Sequence, residues 1–165
     1  MSNGDAPAEL PKSRLIAITL DEKSTATTNS NIEHEREVAI FDILESNKFE
    51  LEGRPGGPYE LTLRLVEDRL VLAVAEQAAA DPFTVVLSLT PLRRVIKDYF
   101  IVCESYYAAI RTAPPSRIQA IDMGRRALHD EGSRVLTERL KGKITVDGDT
   151  ARRLFTLICA LHWKG

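Results

Sequence analysis

Apolar and polar residues alternate through the middle of the chain. In residues 59–65 every second position is apolar and polar residues fill the positions between. The apolar residues Leu70, Leu72 and Val74 continue the spacing, residues 83–89 alternate again with Thr84 and Ser88 between apolar positions, and short links join the three runs. A period of two is typical of strands with one dry and one wet face. The pattern therefore predicts an antiparallel meander of three strands.

Three further segments have the composition of strands. Residues 14–20 are rich in β-branched and apolar residues, and the spacing predicts that Ile16, Ile18 and Leu20 share one face. Residues 48–52 and 143–146 are shorter candidates. Together with the meander, they predict a sheet of about four to five strands.

From residue 90 onward, apolar residues recur every third or fourth position, which indicates helices. The first of these helices ends at a Pro-Pro pair, and the second follows it with a break expected near Gly132, because glycine disfavours a helix interior. Asp147 or Asp149 is suited to cap a last helix that is apolar on more than one side. An earlier helix is predicted to begin at a capping-box match over residues 30–33 and to run to about Ser46.

Strands cluster first and most helices follow, so the sequence predicts an α+β fold. The expected architecture is an antiparallel β-sheet covered on one face by a helical layer. Residues 1–12 are polar, contain two prolines and are predicted to be a disordered tail. Residues 13–165 then form a single domain that is sheet-rich over 13–89 and helical over 90–165.

The sequence is that of an ordinary globular protein in a reducing compartment. Charged residues make up 28% of the chain, and no apolar run approaches the roughly 18 residues that a membrane span needs. The N-terminus has no apolar stretch typical of a secretory signal. The two cysteines, Cys103 and Cys159, fall within helical patterns. We expect a cytoplasmic protein without a membrane partner.

Charge is distributed unevenly along the chain. Residues 1–90 carry 8 basic and 16 acidic side chains, a balance of −8, whereas residues 91–165 carry 14 basic and 8 acidic ones, a balance of +6. Such asymmetry fits either a nucleic-acid partner or pairing between the two parts of the chain. Since no block of five or six like charges occurs, internal pairing is the favoured interpretation.

Three stretches resemble a known family: residues 32–42 (IEHEREVAIFD), residues 57–65 (GPYELTLRL) and the long run over 87–162. The chain resembles an uncharacterised family of small alphaproteobacterial proteins, and the likeness covers nearly everything after the predicted tail. The resemblance implies a bacterial, cytoplasmic, single-domain protein. It implies no activity, ligand or catalytic residue.

One polar cluster could carry chemistry at the start of the first helix. Glu33 and Glu37 lie one turn apart on a helix, and His34 is close to both. Two carboxylates and an imidazole can bind a divalent cation or share proton transfer, although a histidine–glutamate pair without a second histidine is a weak metal signal. Acidic residues in a first helical turn also simply complement the helix dipole, and this structural interpretation is favoured. His129 and His162 have no supporting neighbours in the sequence and are expected at the surface.

Arginine pairs recur in the helical part of the chain, and guanidinium groups bind phosphate well. In each pair, one arginine has an aspartate four residues away, as Arg94 has Asp98 and Arg153 has Asp149. The partners of the other three are not evident from the sequence. The candidates for anion binding are therefore Arg93, Arg125 and Arg152.

Three tyrosines fall on one predicted helix: Tyr99, Tyr106 and Tyr107. Tyrosine combines an apolar ring with a hydroxyl that requires a partner, which suits an interface. These residues are the candidate surface for a homodimer, although ordinary core packing is the favoured interpretation.

No catalytic, nucleotide-binding or metal-binding signature occurs in the sequence, so no cofactor and no metal are expected. The favoured hypothesis is a non-enzymatic binding or regulatory module that acts through its C-terminal helices, with itself or another cytoplasmic protein as partner. One alternative is an enzyme for a small or phosphorylated substrate that uses Glu33, His34 and Glu37. Another is weak nucleic-acid binding by the basic half, which the near-neutral net charge of −2 does not favour.

Overall fold

The computed structural model describes residues 12–21, 30–53, 56–76 and 81–162. The predicted tail, apart from Lys12, lies outside the described residues. A 3₁₀ turn at Thr90–Leu92 precedes the second helix. In chain order the elements are β1 (Leu15–Leu20), α1 (Ser30–Glu45), β2 (Phe49–Leu51), β3 (Tyr59–Val66), β4 (Arg69–Glu76), β5 (Phe83–Ser88), α2 (Arg93–Thr112), α3 (Pro115–Leu140), β6 (Ile144–Val146) and α4 (Gly148–His162).

The main sheet contains four strands in the order β1-β3-β4-β5. The predicted α+β class and the antiparallel meander β3-β4-β5 are confirmed. The expectation that every strand is antiparallel needs a correction, since β1 runs parallel to β3. Between these strands the chain forms α1, and a helical crossover returns the next strand in a parallel direction.

The inward face of β1 also differs from the predicted one. The register against β3 shifts between Leu15 and Ala17, which marks a bulge or irregularity. Leu15 is fully buried opposite Tyr59, whereas Ile16 is 36% exposed. An irregular residue changes the alternation of side chains, so Ile16 does not share a face with Ile18.

One face of the sheet is dry and the helices cover it. Alternate residues of β3 to β5 join the core, including Leu61, Leu72 and Val85. The helix α4 is the most deeply buried helix and contacts α1, α3 and β3, as its broad apolar surface predicts. Asp147 caps α4, because its carboxylate accepts the backbone N–H of Thr150 at 3.0 Å.

The two short predicted strands form a sheet of their own. β2 pairs with β6 in an antiparallel register from Phe49 opposite Val146 to Leu51 opposite Ile144. The predicted helix break near Gly132 is wrong, since α3 continues through this residue. Gly132 is buried, and a Cβ there would overlap the ring of Phe155 on α4. Its lack of a side chain lets the two helices approach closely.

Candidate functional site

All four helices contribute to one cleft in the helical layer. The cleft has a volume of about 380 Å³ and is lined mainly by polar and charged side chains. These are Glu35 of α1, Tyr99 of α2, Arg125, Arg126 and His129 of α3, and Arg152 and Thr156 of α4. We call this site the four-helix cleft.

The stripe of α3 that faces the protein changes character along the helix. Near its C-terminus the stripe consists of Leu136 and Leu140, each 1% exposed. Two, three and four turns before Leu136, the same helical spacing places His129, Arg125 and Asp122 on this stripe. The sequence of α3 therefore turns polar side chains inward at the position where the cleft lies.

Arg125 is fixed in place by three neighbours. Its Nε and Nη2 both donate to Oδ1 of Asp122, at 3.1 and 2.6 Å. Its guanidinium carbon lies 4.3 Å from the centre of the Tyr106 ring, in a cation–π contact. The remaining nitrogen, Nη1, lies 3.8 Å from Oε1 of Glu35, which is beyond hydrogen-bond distance. The Nη1 group of Arg125 thus has no hydrogen bond to Asp122 or Glu35.

Glu35 connects α1 to this arrangement. The hydroxyl of Tyr107 donates a short hydrogen bond to Oε1 of Glu35. Burial, together with the adjacent Glu35 carboxylate, raises the pKa of Tyr107 well above its usual range. The phenol therefore stays protonated and acts as a permanent donor to Glu35.

His129 is held in its neutral form. Burial, followed by the nearby charge of Arg152, lowers the pKa of His129 to about 4. Its Nε2 lies 2.7 Å from Oγ1 of Thr156, whose hydroxyl donates to the backbone carbonyl of Arg152. Nε2 is thereby assigned as the protonated nitrogen, and Nδ1 is an acceptor. Nδ1 is buried and has no partner in the part of the chain that the structure describes.

The other arginines of the cleft are also paired with acids. Arg152 forms an ion pair with Asp130. Arg126 reaches Oδ2 of Asp122 with its Nε at 3.0 Å. The hydrogen bond from Arg125 lowers the pKa of Asp122, so this acid stays ionised. Three guanidinium groups and three carboxylates therefore surround the cleft, counting Glu35, and their charges balance.

The inner wall of the cleft is aromatic and does not titrate near neutral pH. Tyr99 lies edge-on to the rings of His129 and Phe155, at centroid distances of 5.5 and 5.9 Å. Burial raises the pKa of Tyr99 well above its usual range. Burial also raises the pKa of Cys103 to about 11, so the thiol behaves as a small apolar group.

The structure brings two of the three predicted arginines together. Arg125 and Arg152 line the four-helix cleft. Arg93 lies elsewhere, where it pairs with Asp68 of the β3–β4 turn. The expected pairing of Arg153 with Asp149 is replaced by a contact of 3.9 Å with Asp42 of α1.

The predicted acid and histidine cluster does not converge. Glu33, His34 and Glu37 are all exposed on α1. Glu37 lines a separate groove of about 630 Å³ between α1 and the β1 edge, where Arg36 is a neighbour. Glu33 and His34 are not part of that lining. Within the described residues, no group of three His, Cys, Asp or Glu side chains is placed to hold a metal ion.

The three predicted interface tyrosines face their own chain. Tyr99 is 5% exposed and belongs to the core. Tyr106 and Tyr107 are half-buried, and they contact Arg125 and Glu35 respectively. Tyr99 therefore lines the four-helix cleft, and Tyr106 and Tyr107 contact Arg125 and Glu35, two residues of its lining.

Sequence reasoning missed Glu35, His129 and Thr156. His129, expected at the surface, is half-buried, and its Nδ1 atom is enclosed. Its position was visible in the spacing of α3, since it lies seven residues before Leu136 on the apolar stripe. No local signal identifies Glu35, because its partners come from α2 and α3, far away in the sequence.

Comparison with known proteins identifies relatives over nearly the whole chain. Residues 12–164 match the model of an uncharacterised protein family, UPF0262. A UPF0262 protein of Azorhizobium caulinodans is 59% identical over 157 residues, which are 94% of this chain and 97% of the relative. One of Brucella anthropi is 58% identical over 159 residues, 96% of this chain and 99% of the relative. Both organisms are alphaproteobacteria. No solved structure matches significantly.

Proposed function

We propose that this chain, which belongs to the uncharacterised family UPF0262, is a binding module that holds a small anion in the four-helix cleft. The observation that carries the proposal is the convergence of Arg125 and Arg152 from two helices on one concave site. Guanidinium groups are suited to carboxylates and phosphates because their donors match the geometry of these anions. The proposal keeps the predicted action through the C-terminal helices.

The side chains of Arg125 and Arg152 are already ordered in the absence of a ligand, because each is bound to an aspartate. Asp122 fixes one edge of Arg125, and Asp130 fixes Arg152. A side chain that is already ordered loses less conformational entropy when the ligand arrives. The Nη1 edge of Arg125, 3.8 Å from Glu35, is the donor position that a ligand oxygen would complete.

The charge balance limits the size and charge of the ligand. The three arginines of the cleft face three carboxylates, so the site has no large excess of positive charge. A polyanion such as nucleic acid would meet Glu35 and Asp122 at close range. A ligand with one anionic group, a carboxylate or a phosphate monoester, fits this balance best.

The titration behaviour of the cleft supports binding over acid–base catalysis. A general acid or base works best when its pKa lies near the working pH. The pKa of His129 is lowered to about 4, and the pKa values of Tyr99 and Tyr107 are raised far above neutral. His129 and Tyr99, which line the cleft, would contact a ligand without exchanging protons with it, and Tyr107 would remain the donor to Glu35.

The location that we propose is the cytoplasm. Cys103 and Cys159 are both free and buried, and unpaired cysteines are typical of a reducing compartment. No described helix is long and apolar enough to cross a membrane.

The proposal is tested by calorimetric titration of the full chain with four probes: inorganic phosphate, methyl phosphate, acetate and succinate. We expect at least one of them to bind with a stoichiometry of one. Arg152→Gln removes a charge-assisted contact, and such contacts contribute about 1.5–3 kcal/mol. Affinity should therefore fall by roughly 10- to 100-fold.

Arg134→Gln is the matched control. Arg134 also lies on the helical layer and pairs with an acid, Glu138, but its side chain is 63% exposed and does not line the cleft. This variant should bind as the wild type does. If no probe binds at millimolar concentration, or if both variants weaken binding equally, the proposed function is wrong.

A further inference from the structure

The strand β5 lies at the edge of the main sheet, and no described strand lies beyond it. Its pairing with β4 is regular from Phe83 opposite Val74 to Ser88 opposite Arg69. Edge strands of natural proteins are commonly protected by charges, proline or a bulge, because their free backbone groups can pair with another strand. The sequence of β5, FTVVLS, contains neither a charge nor a proline.

The orientation of the backbone of β5 follows from one hydrogen bond. The N–H of Leu89 donates to the carbonyl of Asp68 at 2.9 Å, in register with the β4–β5 pairing. Backbone groups alternate in direction along a strand. The odd-numbered residues of β5 therefore point their N–H and C=O groups toward β4. Those of Thr84, Val86 and Ser88 point away from the sheet.

The side chains of these three residues share the face of the sheet that the helices leave open. Thr84, Val86 and Ser88 are exposed, whereas Val85 and Leu87 are buried. Val86 is 45% exposed, although it is a β-branched apolar residue in the centre of the strand. An uncharged edge with an exposed valine at its centre is suited to strand addition.

The edge is also complementary to itself. In an antiparallel pair related by a twofold axis at Val86, this residue faces its own copy, and Thr84 faces Ser88 of the other chain. All three outward-pointing residues then exchange backbone hydrogen bonds, and a Thr84–Ser88 pair lies on each side of the valine pair, with the Ser88 hydroxyl bonded to Thr90 of its own chain. Thr–Ser and β-branched pairs of this kind stabilise neighbouring strands. No like charges meet anywhere along this register.

The opposite edge of the sheet is less available. At the start of β1, the side chain of Asn47 forms hydrogen bonds with both the backbone N–H and the backbone carbonyl of Leu15. Its Oδ1 accepts from the N–H of Leu15 at 2.8 Å, and its Nδ2 donates to the carbonyl of Leu15 at 3.0 Å. This contact occupies backbone groups that a further strand would need.

From these observations we infer that two copies of this chain associate through β5, so that the two four-stranded sheets form one continuous sheet of eight strands. The partner is a second copy of this chain, and the twofold axis passes at Val86. This surface is separate from Tyr99, Tyr106 and Tyr107 of α2, which the sequence offered as candidates for a homodimer interface. It is also separate from the four-helix cleft.

The first test is the mass of the full chain in solution, measured by sedimentation equilibrium for the wild type and two variants. We expect the wild type to be a dimer and Val86→Lys to be a monomer, because two lysines would face each other across the axis. Val66→Lys is the matched control, since Val66 is a similarly exposed valine, at 48%, on β3. It should remain dimeric. Circular dichroism confirms that both variants are folded.

The second test examines the register. Val86→Cys should form a disulfide between two copies under mild oxidation, because opposed residues of a hydrogen-bonded pair lie about 5.5 Å apart between Cα atoms. Thr84→Cys and Ser88→Cys should each crosslink poorly alone and well when the two proteins are mixed. A monomeric wild type would overturn the inference, as would a Val86→Lys variant that remains dimeric. Efficient crosslinking of Thr84→Cys alone, or of Ser88→Cys alone, would contradict a twofold axis at Val86.

Discussion

Two glycines of α3 differ in what surrounds them, and each should respond differently to a methyl group. A Cβ at Gly132 would overlap the ring of Phe155, whereas a Cβ at Gly124 meets nothing within 4 Å. Overpacking a core contact costs about 1–3 kcal/mol. Gly132→Ala should therefore lower the free energy of unfolding by that amount in urea denaturation followed by circular dichroism.

Gly124→Ala is the control on the same helix. Alanine is favoured over glycine in a helix interior by about 0.5–1 kcal/mol, so this variant should raise the free energy of unfolding. If both substitutions stabilise the protein, the close approach of α3 and α4 at Gly132 is not present in solution.

His129 makes the stability of the fold dependent on pH. In the unfolded chain the imidazole takes up a proton near pH 6.5, but in the folded protein it does so only near pH 4, because it is buried. Between these values the unfolded state binds more protons, so stability decreases as the pH falls from 7 to 4. The size of this effect is at most about 3 kcal/mol.

Urea denaturation at a series of pH values measures this dependence. His129→Gln should flatten the curve, because glutamine does not titrate. His34→Gln, which replaces an exposed histidine on α1, is the control for the loss of an imidazole elsewhere in the chain. An unaltered slope in His129→Gln would show that other groups cause the pH dependence.

Single residues were predictable from sequence where local spacing decides their position. Asp147 was among the expected caps of α4, and Arg125 and Arg152 were singled out because the sequence offered them no simple partner. Glu35 was not predictable, since its position depends on how α1 packs beside α2 and α3. The role of Gly132 was missed for the same reason, because Phe155 comes from another helix.

At the scale of elements, the cap of α4 is a direct test of how the central helix begins. Asp147 accepts the backbone N–H of Thr150. Asp147→Ala should lower the free energy of unfolding by about 1 kcal/mol, as the loss of an N-cap typically does. Asp147→Asn keeps an oxygen that can accept this hydrogen bond and should remain close to the wild type. Equal losses in thermal unfolding of both variants would contradict the capping role.

The elements themselves follow from periodicity, but their pairing does not. The alternation in β3, β4 and β5 predicts three strands, and the short links between them enforce antiparallel neighbours. β1 pairs with β3, from which it is separated in the chain by α1 and β2. The residues of β1 alone therefore do not indicate that this pairing is parallel. Likewise, β2 meets β6 through contacts between distant parts of the chain.

At the scale of the whole molecule, the uneven charge of the sequence has a partial explanation. Three contacts join the acidic part to the basic part: Arg93 with Asp68, Arg125 with Glu35, and Arg153 with Asp42. These contacts support the interpretation that the two parts complement each other. Such partly exposed pairs contribute little stability, so their main effect is on charge balance. The equal numbers of arginines and carboxylates around the four-helix cleft are likewise the reason why we propose a small ligand and not a polyanion.

The central claim is that the four-helix cleft binds a small anion, and the most direct measurement locates the ligand on the protein. Backbone amide resonances of ¹⁵N-labelled full chain are followed by NMR during titration with methyl phosphate and, separately, with acetate. We predict that the saturable shifts cluster at the residues of the cleft, namely Glu35, Tyr99, Arg125, His129, Arg152 and Thr156. Saturable shifts centred on Arg93 or on the groove beside Glu37, or no saturable shifts with either anion, would contradict the account.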